Sequence, residues 1–592
     1  MRHSIGSICI LALALLLSGC VVEAQQLTSP NPELLPSPIP EPVRGTMEDT
    51  VQEIHINQLG YRPRDTKIVK APGGYSVFYV MDRDTEQVVF EGTFGNAKED
   101  QGAGEDVVCG DFSSLDSPGQ YVVQVPELGR SYPFSIAEDI YAELNTAVLK
   151  MLYYQRCGVT LTEQYAGAWS HPACHTCRGK IYGAKGTSFK GSGGWHDTGD
   201  FSKSAVPAAR TVTDLLLAYS LYPEAFGDDT HIPESGNGTP DILDEARVGL
   251  EWLLKMQDPR TGGVYHTYIT EESPSMETMP QQDTAAYYVV SISPTATGDF
   301  CAVMAQAARI YKKIDGEFAQ KCLEAAGEAY GWMRANPDTS AYRHPGDITA
   351  GDYWNESHRD EYYWASMEMY VTTGEQVYLD DADPYGDKTA LFWSDTLDLY
   401  NVSLLGVFSY LLSDEADSHS VLYQGMAENV LQAADEITGW ASKNGYGIDM
   451  GPKDYIWGSN LIVSNRAVVL LVANHLSHKD AYVQTARAHF DYLLGCNTLN
   501  QCYVTGFGAK PVLRPNHRPS VADTNILPVP GMVVGGPNAN RQDPIAQSEL
   551  KQETPPAKCY LDQTWAYSLN GVATYWNSPM VLLCAYFNGD KE

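Results

Sequence analysis

The sequence predicts a mainly α-helical protein, a toroid of paired helices preceded by a small all-β sandwich. Three observations predict it. From about Glu53 to Ile136 short alternating apolar runs (67–70, 75–81, 87–94 and 119–125) are divided by Gly, Pro and Asp, the pattern of a sandwich of about one hundred residues or fewer. From Glu138 the period becomes helical, with apolar residues on one face of 142–154, 205–222, 241–257, 300–314, 318–336, 362–373, 397–412, 421–441, 459–476 and 481–494. The helical stretches are joined by long loops rich in Gly, Asp, Tyr and Trp, and such loops in a compact domain are usually functional.

In chain order, residues 1–20 read as a sorting signal. Arg2 and His3 precede an apolar run, 8–17, too short to span a membrane comfortably. The run ends in Leu17-Ser18-Gly19-Cys20, which looks like a bacterial lipobox with Cys20 as the lipidated residue; an ordinary cleaved signal peptide is the alternative. Residues 21–50, with Pro30, Pro32, Pro36, Pro38, Pro40 and Pro42, read as a semi-extended tether. The sandwich takes 51–137 and the helical domain 138–592. The expected protein is exported and anchored to the bacterial envelope through lipid alone, or secreted, and a monomer is the simplest assembly.

Composition narrows the partners. The 592 residues carry 74 acidic and 40 basic side chains, a net charge of −34. That field repels nucleic acid and anionic membranes but tolerates neutral substrates and divalent cations. Aromatic residues reach 11%, enough to stack on the apolar faces of sugar rings or simply to fill a large core.

Three constellations carry chemistry. In Gly193-Gly194-Trp195-His196-Asp197-Thr198-Gly199-Asp200-Phe201 a glycine-rich turn presents two carboxylates three residues apart. Glycoside hydrolysis needs paired carboxylates, one to take a proton from water and one to protonate the leaving oxygen. Alone, the turn also suits a calcium loop or a solvated bend. The second constellation is Cys502-Tyr503-Val504-Thr505-Gly506-Phe507-Gly508 followed by Arg514-Pro515-Asn516-His517-Arg518-Pro519. The third runs Tyr560-Leu561-Asp562, Tyr567-Ser568-Leu569-Asn570-Gly571-Val572-Ala573 and Trp576-Asn577-Ser578-Pro579.

Together these motifs resemble the family nine glycoside hydrolases, the cellulase-type family, in the branch with an immunoglobulin-like domain in front. Gln58-Leu59-Gly60-Tyr61, Glu234-Ser235-Gly236-Asn237-Gly238 and Trp457-Gly458-Ser459-Asn460 add to the resemblance, which spans roughly Ile54 to Phe587. It implies an (α/α)6 barrel and inverting hydrolysis of β-1,4-glucan. It makes Asp200 the base that activates water, Asp197 its partner in holding that water, and Asp562 the residue that orders the acid side. Arg518 would hold a sugar hydroxyl and a carboxylate, beside His517. Two positions depart. The family's proton-donating Glu stands nine residues after the matching Asp, where this chain has Gly571, and the family's usual sugar-contacting His is replaced by Asn516. Trp457, Trp565, Tyr567 and Tyr575 are candidate stacking residues, with core packing as the alternative.

Cys157, Cys174, His175 and His196 offer two thiolates and two imidazoles, a set suited to tetrahedral zinc. Their spacing resembles the structural zinc site of this branch; Cys177 is a competing ligand, and a Cys157–Cys174 disulfide is the alternative. Glu234, Asn237, Asp241 and Glu245, and separately Asp360 with Glu361, are candidate calcium ligands or helix caps.

Two functions follow. One is a surface-anchored endoglucanase, impaired at Gly571 or using Glu549 or Glu553 as its acid. The other is a degenerate hydrolase that captures β-glucan without cutting it.

Overall fold

The computed structural model describes residues 53–337, 342–355, 357–382, 397–413, 416–523, 525 and 527–589. The sorting signal, Cys20 and the proline-rich tether lie outside the described residues. No described helix is long and apolar enough to cross a membrane.

The sandwich forms as expected. One sheet runs Gly60–Tyr61, Phe134–Ile136, Gly119–Val125, Val77–Asp82, Val88–Thr93, with Gly129–Arg130 paired to Gly119–Val125. The other runs Ile68–Pro72, Glu105–Asp111, Lys98–Asp100. Ile54, Ile56, Tyr61, Phe78, Val80, Phe112, Val123 and Phe134 fill the space between them. The Gln58-Leu59-Gly60-Tyr61 run joins this module to the helices. Gln58 donates to the Asn500 carbonyl at 2.6 Å and accepts from Lys510 N–H at 2.8 Å, while the Tyr141 hydroxyl donates to the Gly60 carbonyl at 2.7 Å. A side chain at Gly60 is barred, because its Cβ would lie 1.8 Å from the Ser135 carbonyl oxygen. Asp65 and Arg487 form a buried ion pair at 2.7 Å across the same junction. The sandwich is therefore a docked support rather than a loose appendage.

The helical domain is built in two layers. Ala205–Leu221, Pro294–Tyr311, Arg359–Thr373, Ser403–Leu411, Ser459–Ser477 and Thr574–Asn588 are buried nearly all round, as inner helices must be. Ala142–Tyr154, Asp241–Met256, Gly316–Ala335, Gln376–Ala382, Val421–Ala441 and Asp480–Leu493 each pack on an inner helix. This is the expected six-by-six helical barrel. Two of its helices escaped the sequence pattern: Gln376–Ala382 is short, and Thr574–Asn588 carries an internal Pro579 and no polar face. A four-stranded sheet, Lys180–Ile181, Tyr288–Ile292, Tyr265–Ile269, Lys203–Ser204, frames one side of the loop-built rim.

Candidate active site

The glycine-rich turn that carries Asp197 and Asp200 precedes the first inner helix and is stitched to two other segments. Asp197 N–H donates to the Ser202 carbonyl at 3.0 Å, and Thr574 N–H donates to the Asp197 carbonyl at 2.9 Å. Gly199 lies against the 516–518 segment so closely that a Cβ there would sit 1.9 Å from the Asn516 carbonyl oxygen. Arg518 N–H donates to the Gly199 carbonyl at 2.9 Å. The three sequence constellations thus converge on one place.

The two carboxylates sit in opposite environments. Asp200 Oδ1 accepts from the Thr198 hydroxyl and Ser202 N–H, both at 3.0 Å, and Oδ2 accepts from the Ser273 hydroxyl at 2.8 Å. Burial alone would raise its pKa, but the Arg518 charge and these donors outweigh burial and hold it below the usual carboxylate value. Both carboxylate oxygens of the buried Asp197 lack a protein hydrogen-bond partner. Burial, reinforced by the neighbouring Asp200 charge, pushes its pKa well up. Of the two, Asp200 is the more readily ionised, as a water-activating base must be.

Asp562 is fully engaged. It accepts from Leu513 N–H at 2.8 Å, Arg514 N–H at 2.9 Å and Asn570 Nδ2 at 3.0 Å, and burial still raises its pKa. It therefore clamps the 513–514 backbone to the end of the one-turn helix Tyr567–Asn570 that leads into Gly571. Asn516 and Gly571 are partners in one isolated β-bridge, with Asn516 N–H donating to the Asn570 carbonyl at 2.7 Å. The Asn516 amide donates to the Thr564 carbonyl at 2.7 Å and approaches Met276 Sδ at 3.6 Å. Gly571 has φ −64° and ψ 158°, open to any residue, but an added Cβ would lie 2.7 Å from the Tyr567 carbonyl oxygen.

The structure corrects the expectation for His517. Its ring is buried, with Nδ1 on the Ser520 hydroxyl at 2.8 Å and Nε2 on Gln155 Oε1 at 2.9 Å, so it faces the protein and not a sugar. Burial drives its pKa down to about 3, keeping the ring neutral. Arg518 keeps an electrostatic role toward Asp200, while its Nε and Nη1 donate to the carbonyls of Pro274 (2.8 Å) and Gly199 (3.2 Å). Trp457 is 45% exposed and leans on Tyr567 with ring centroids 5.6 Å apart and planes tilted by 44°. Tyr575 is buried beside Trp576 and Tyr353 and belongs to the core. Glu549 is exposed and accepts from Gln563 Nε2 at 2.6 Å; Glu553 is exposed.

Cys157, Cys174, His175 and His196 come together with all their ligand atoms within 4.8 Å of one another. Both cysteines are free thiols, and Cys177 is exposed. His175 turns Nδ1 toward His196 Nε2 (3.2 Å) and Cys157 Sγ (3.8 Å), and its Nε2 meets Asp283 at 3.2 Å. A carboxylate behind a ligating imidazole fixes its tautomer and raises its basicity, so this donor set fits a tetrahedral metal. The cluster ends one residue before Asp197.

The calcium expectation needs correcting. Glu234 and Glu245 are not free ligands: Arg156 pairs with them at 3.0 and 2.7 Å, and Trp195 Nε1 donates to Glu245 at 2.7 Å. Asn237 donates to Asp244 at 3.0 Å. Asp241 instead clusters with Asp228 and Asp244, and its Oδ1 is buried without a partner. Asp360 lies elsewhere, accepting from Val402 N–H at 2.9 Å beside the buried Asp299 and Glu361.

The comparisons agree with this geometry. The glycosyl hydrolase family 9 model matches residues 141–584, and the cellulase N-terminal ig-like domain model matches 49–130. The chain belongs to glycosyl hydrolase family 9, the cellulase-type glycoside hydrolases. A cellodextrinase of Butyrivibrio fibrisolvens is 32% identical, with 90% of this chain and 98% of the relative covered. A xyloglucan-specific endo-beta-1,4-glucanase of Bacteroides ovatus is 33% identical over 90% of this chain and 93% of its own. Among solved structures, a thermostable endoglucanase mutant from Alicyclobacillus acidocaldarius superposes with a TM-score of 0.84 at 36% identity, covering 91% of this chain and all (100%) of that one. A Zn-binding triple mutant of another family 9 endoglucanase superposes at 0.83 with 32% identity, covering 90% and 100%.

Proposed function

We propose that this chain is a β-1,4-glucan-directed hydrolase with a complete water-activating half and no titratable group at its proton-donating position, Gly571. The observation that carries the reading is the contrast at the rim. Asp200 is held ionised by the Arg518 charge and three donors, whereas Gly571, bridged to Asn516, brings only backbone. With the base in place, water can be activated for attack on the anomeric carbon. Without a general acid, a glucose alkoxide must leave unprotonated, which costs about 10²–10⁴-fold or more in rate. Trp457 and Tyr567 supply the sugar platform. The substrate class is cellulose or a related β-glucan, as the names of the relatives suggest.

A second reading, a surface lectin-like binder, is favoured by one observation: both departures, Asn516 and Gly571, are bridge partners on the same side of the site. Purified protein assayed on carboxymethylcellulose and cello-oligosaccharides separates the two. Slow hydrolysis abolished by Asp200→Asn supports the enzyme; calorimetric binding at a blank hydrolysis rate supports the binder. Neither binding nor hydrolysis removes both.

Zinc is the proposed occupant of the Cys157/Cys174/His175/His196 set, where it would brace the turn that carries the base. A hard cation such as calcium is proposed at Asp241 with Asp228 and Asp244. The proposed location is the envelope, anchored at Cys20, and mass analysis of the mature amino terminus tests it.

A further inference from the structure

One segment, 270–287, reaches every part of the base side. It leaves the strand Tyr265–Ile269 and returns as Tyr288–Ile292. Near its start the Ser273 hydroxyl donates to Asp200 Oδ2 at 2.8 Å. The next residue, Pro274, accepts from Arg518 Nε at 2.8 Å, and Met276 meets the Asn516 amide at 3.6 Å. Near its end Asp283 holds His175 at 3.2 Å and accepts from the Tyr287 hydroxyl at 2.7 Å. The segment is therefore pinned at its far end by the metal-ligand cluster and at its near end by the base and its arginine.

We infer that Ser273 is a positioning residue for Asp200, selecting which oxygen faces the reacting water and keeping that oxygen a hydrogen-bond acceptor. Asp200 Oδ1 already accepts two bonds from its own turn, from Thr198 and Ser202. Oδ2 accepts from Ser273, and a carboxylate oxygen with one donor still has a lone pair for a water proton. Ser273 holds that oxygen in place, whereas the turn's own bonds leave rotation about the Cβ–carboxyl bond restrained at one oxygen alone. A bond donated to the charged form also favours it, in the same direction as Arg518. The other ionisable groups around Asp200 are Asp197, Tyr287 and Tyr353, and burial pushes each of them toward its neutral form.

This inference rests on the proposed role of Asp200 as base, so its test is chosen to tell the two failures apart. The probe is 2,4-dinitrophenyl β-cellobioside, whose phenolate leaves without a proton and so bypasses Gly571. Ser273→Ala is expected to move the acidic limb of kcat up by about half to one pH unit and to lower kcat about three- to tenfold at acidic pH, with KM little changed. Ser273→Thr, which keeps the hydroxyl, is expected to bring the limb back. Independently of turnover, the infrared carboxylate titration of wild type minus Asp200→Asn isolates the Asp200 band, and Ser273→Ala should shift its midpoint upward. A limb and a band midpoint unmoved by Ser273→Ala overturn the inference, as does a Thr variant that behaves like Ala while folding normally. If Asp200→Asn hydrolyses the probe as fast as wild type, the base assignment fails, and the infrared titration still decides whether Ser273 sets the state of Asp200.

Discussion

Restoring a carboxylic acid at position 571 is the most direct test of the proposed division between a sound base side and an empty acid side. Gly571→Glu adds a side chain to backbone that already has an ordinary extended conformation, so no left-handed strain arises. The obstacle is local. The new Cβ would lie 2.7 Å from the Tyr567 carbonyl oxygen and at ordinary contact, 3.6 and 3.8 Å, from the Trp576 ring. The carbonyl belongs to the one-turn helix Tyr567–Asn570, so relieving the contact requires that backbone to move and not merely a side chain to turn. Overpacking of this size costs about 1–3 kcal/mol of stability. Each kcal/mol lowers the melting temperature by about 2–4 °C in a domain of 150–250 residues, and by less in one this large. Against that stands the gain of a general acid, about 10²–10⁴-fold or roughly 3–5 kcal/mol of barrier. The expected result is a variant slightly less stable than wild type that cleaves cellotetraose at least about a hundredfold faster. Proton NMR should show the newly formed anomer as α, because water attacks the face opposite a β leaving group. Gly571→Gln carries the same bulk without the proton and should reproduce the stability loss alone. A folded Gly571→Glu protein that gains no more than a few-fold, or whose gain survives Asp200→Asn, refutes the reasoning: the cleft would then have drifted beyond its missing acid.

Two further predictions concern the parts that hold the site. Asp283→Asn should weaken metal retention at the thiolate–imidazole cluster about 10–100-fold, since Asp283 backs the His175 ring at 3.2 Å; competition with a chromogenic chelator reads this directly, and an unchanged affinity would mean that the cluster binds without its outer shell. His517→Gln should flatten the acid limb of folding stability. The buried ring titrates at about 3, whereas an unfolded histidine titrates near its model value of 6.5, so its stability contribution is complete above that value and is lost as pH falls toward 3. Wild type minus variant stability should therefore fall by about 1.4 kcal/mol per pH unit between roughly pH 6 and 4, read by urea melts, and a pH-independent difference would show a ring that is protonated in the native state.

Much of this architecture was legible because one-sided helices announce themselves. Asp241–Met256 buries Ile242, Leu243, Ala246, Gly249, Leu250 and Leu253 on one face and shows charges on the other, so period and burial agree. The inner helices are harder, since burial all round erases the period. Thr574–Asn588 went unseen for that reason, its interior Pro579 adding a false stop. The paired aspartates and the cysteine–histidine set could be placed because each is nearly local in sequence. What could not be read were contacts made across the chain. Ser273 reaches Asp200 over 73 residues, and a lone serine between two glutamates and a proline carries no signal of that contact. Arg156 takes Glu234 and Glu245 over 78 and 89 residues, turning apparent calcium ligands into the anchors of a buried cation. His517 stood inside a motif read as sugar-facing, and only the position of Gln155 shows that its ring points inward.

The two departures from the family pattern have a joint physical meaning that neither has alone. Asn516 and Gly571 pair through backbone, and Gly199 is packed beneath Asn516 so tightly that no side chain fits between them. The backbone at 516 therefore touches both position 571 and the turn that carries the base. The Asn516 amide donates to Thr564 and lies near Met276 of the 270–287 segment, which also supplies Ser273. The acid side is thus built on inward-facing polar contacts, while Asp200 accepts three hydrogen bonds. Three donors on one carboxylate hold a charged group at the rim, which suits either slow hydrolysis or the binding of a sugar hydroxyl in the place of the attacking water.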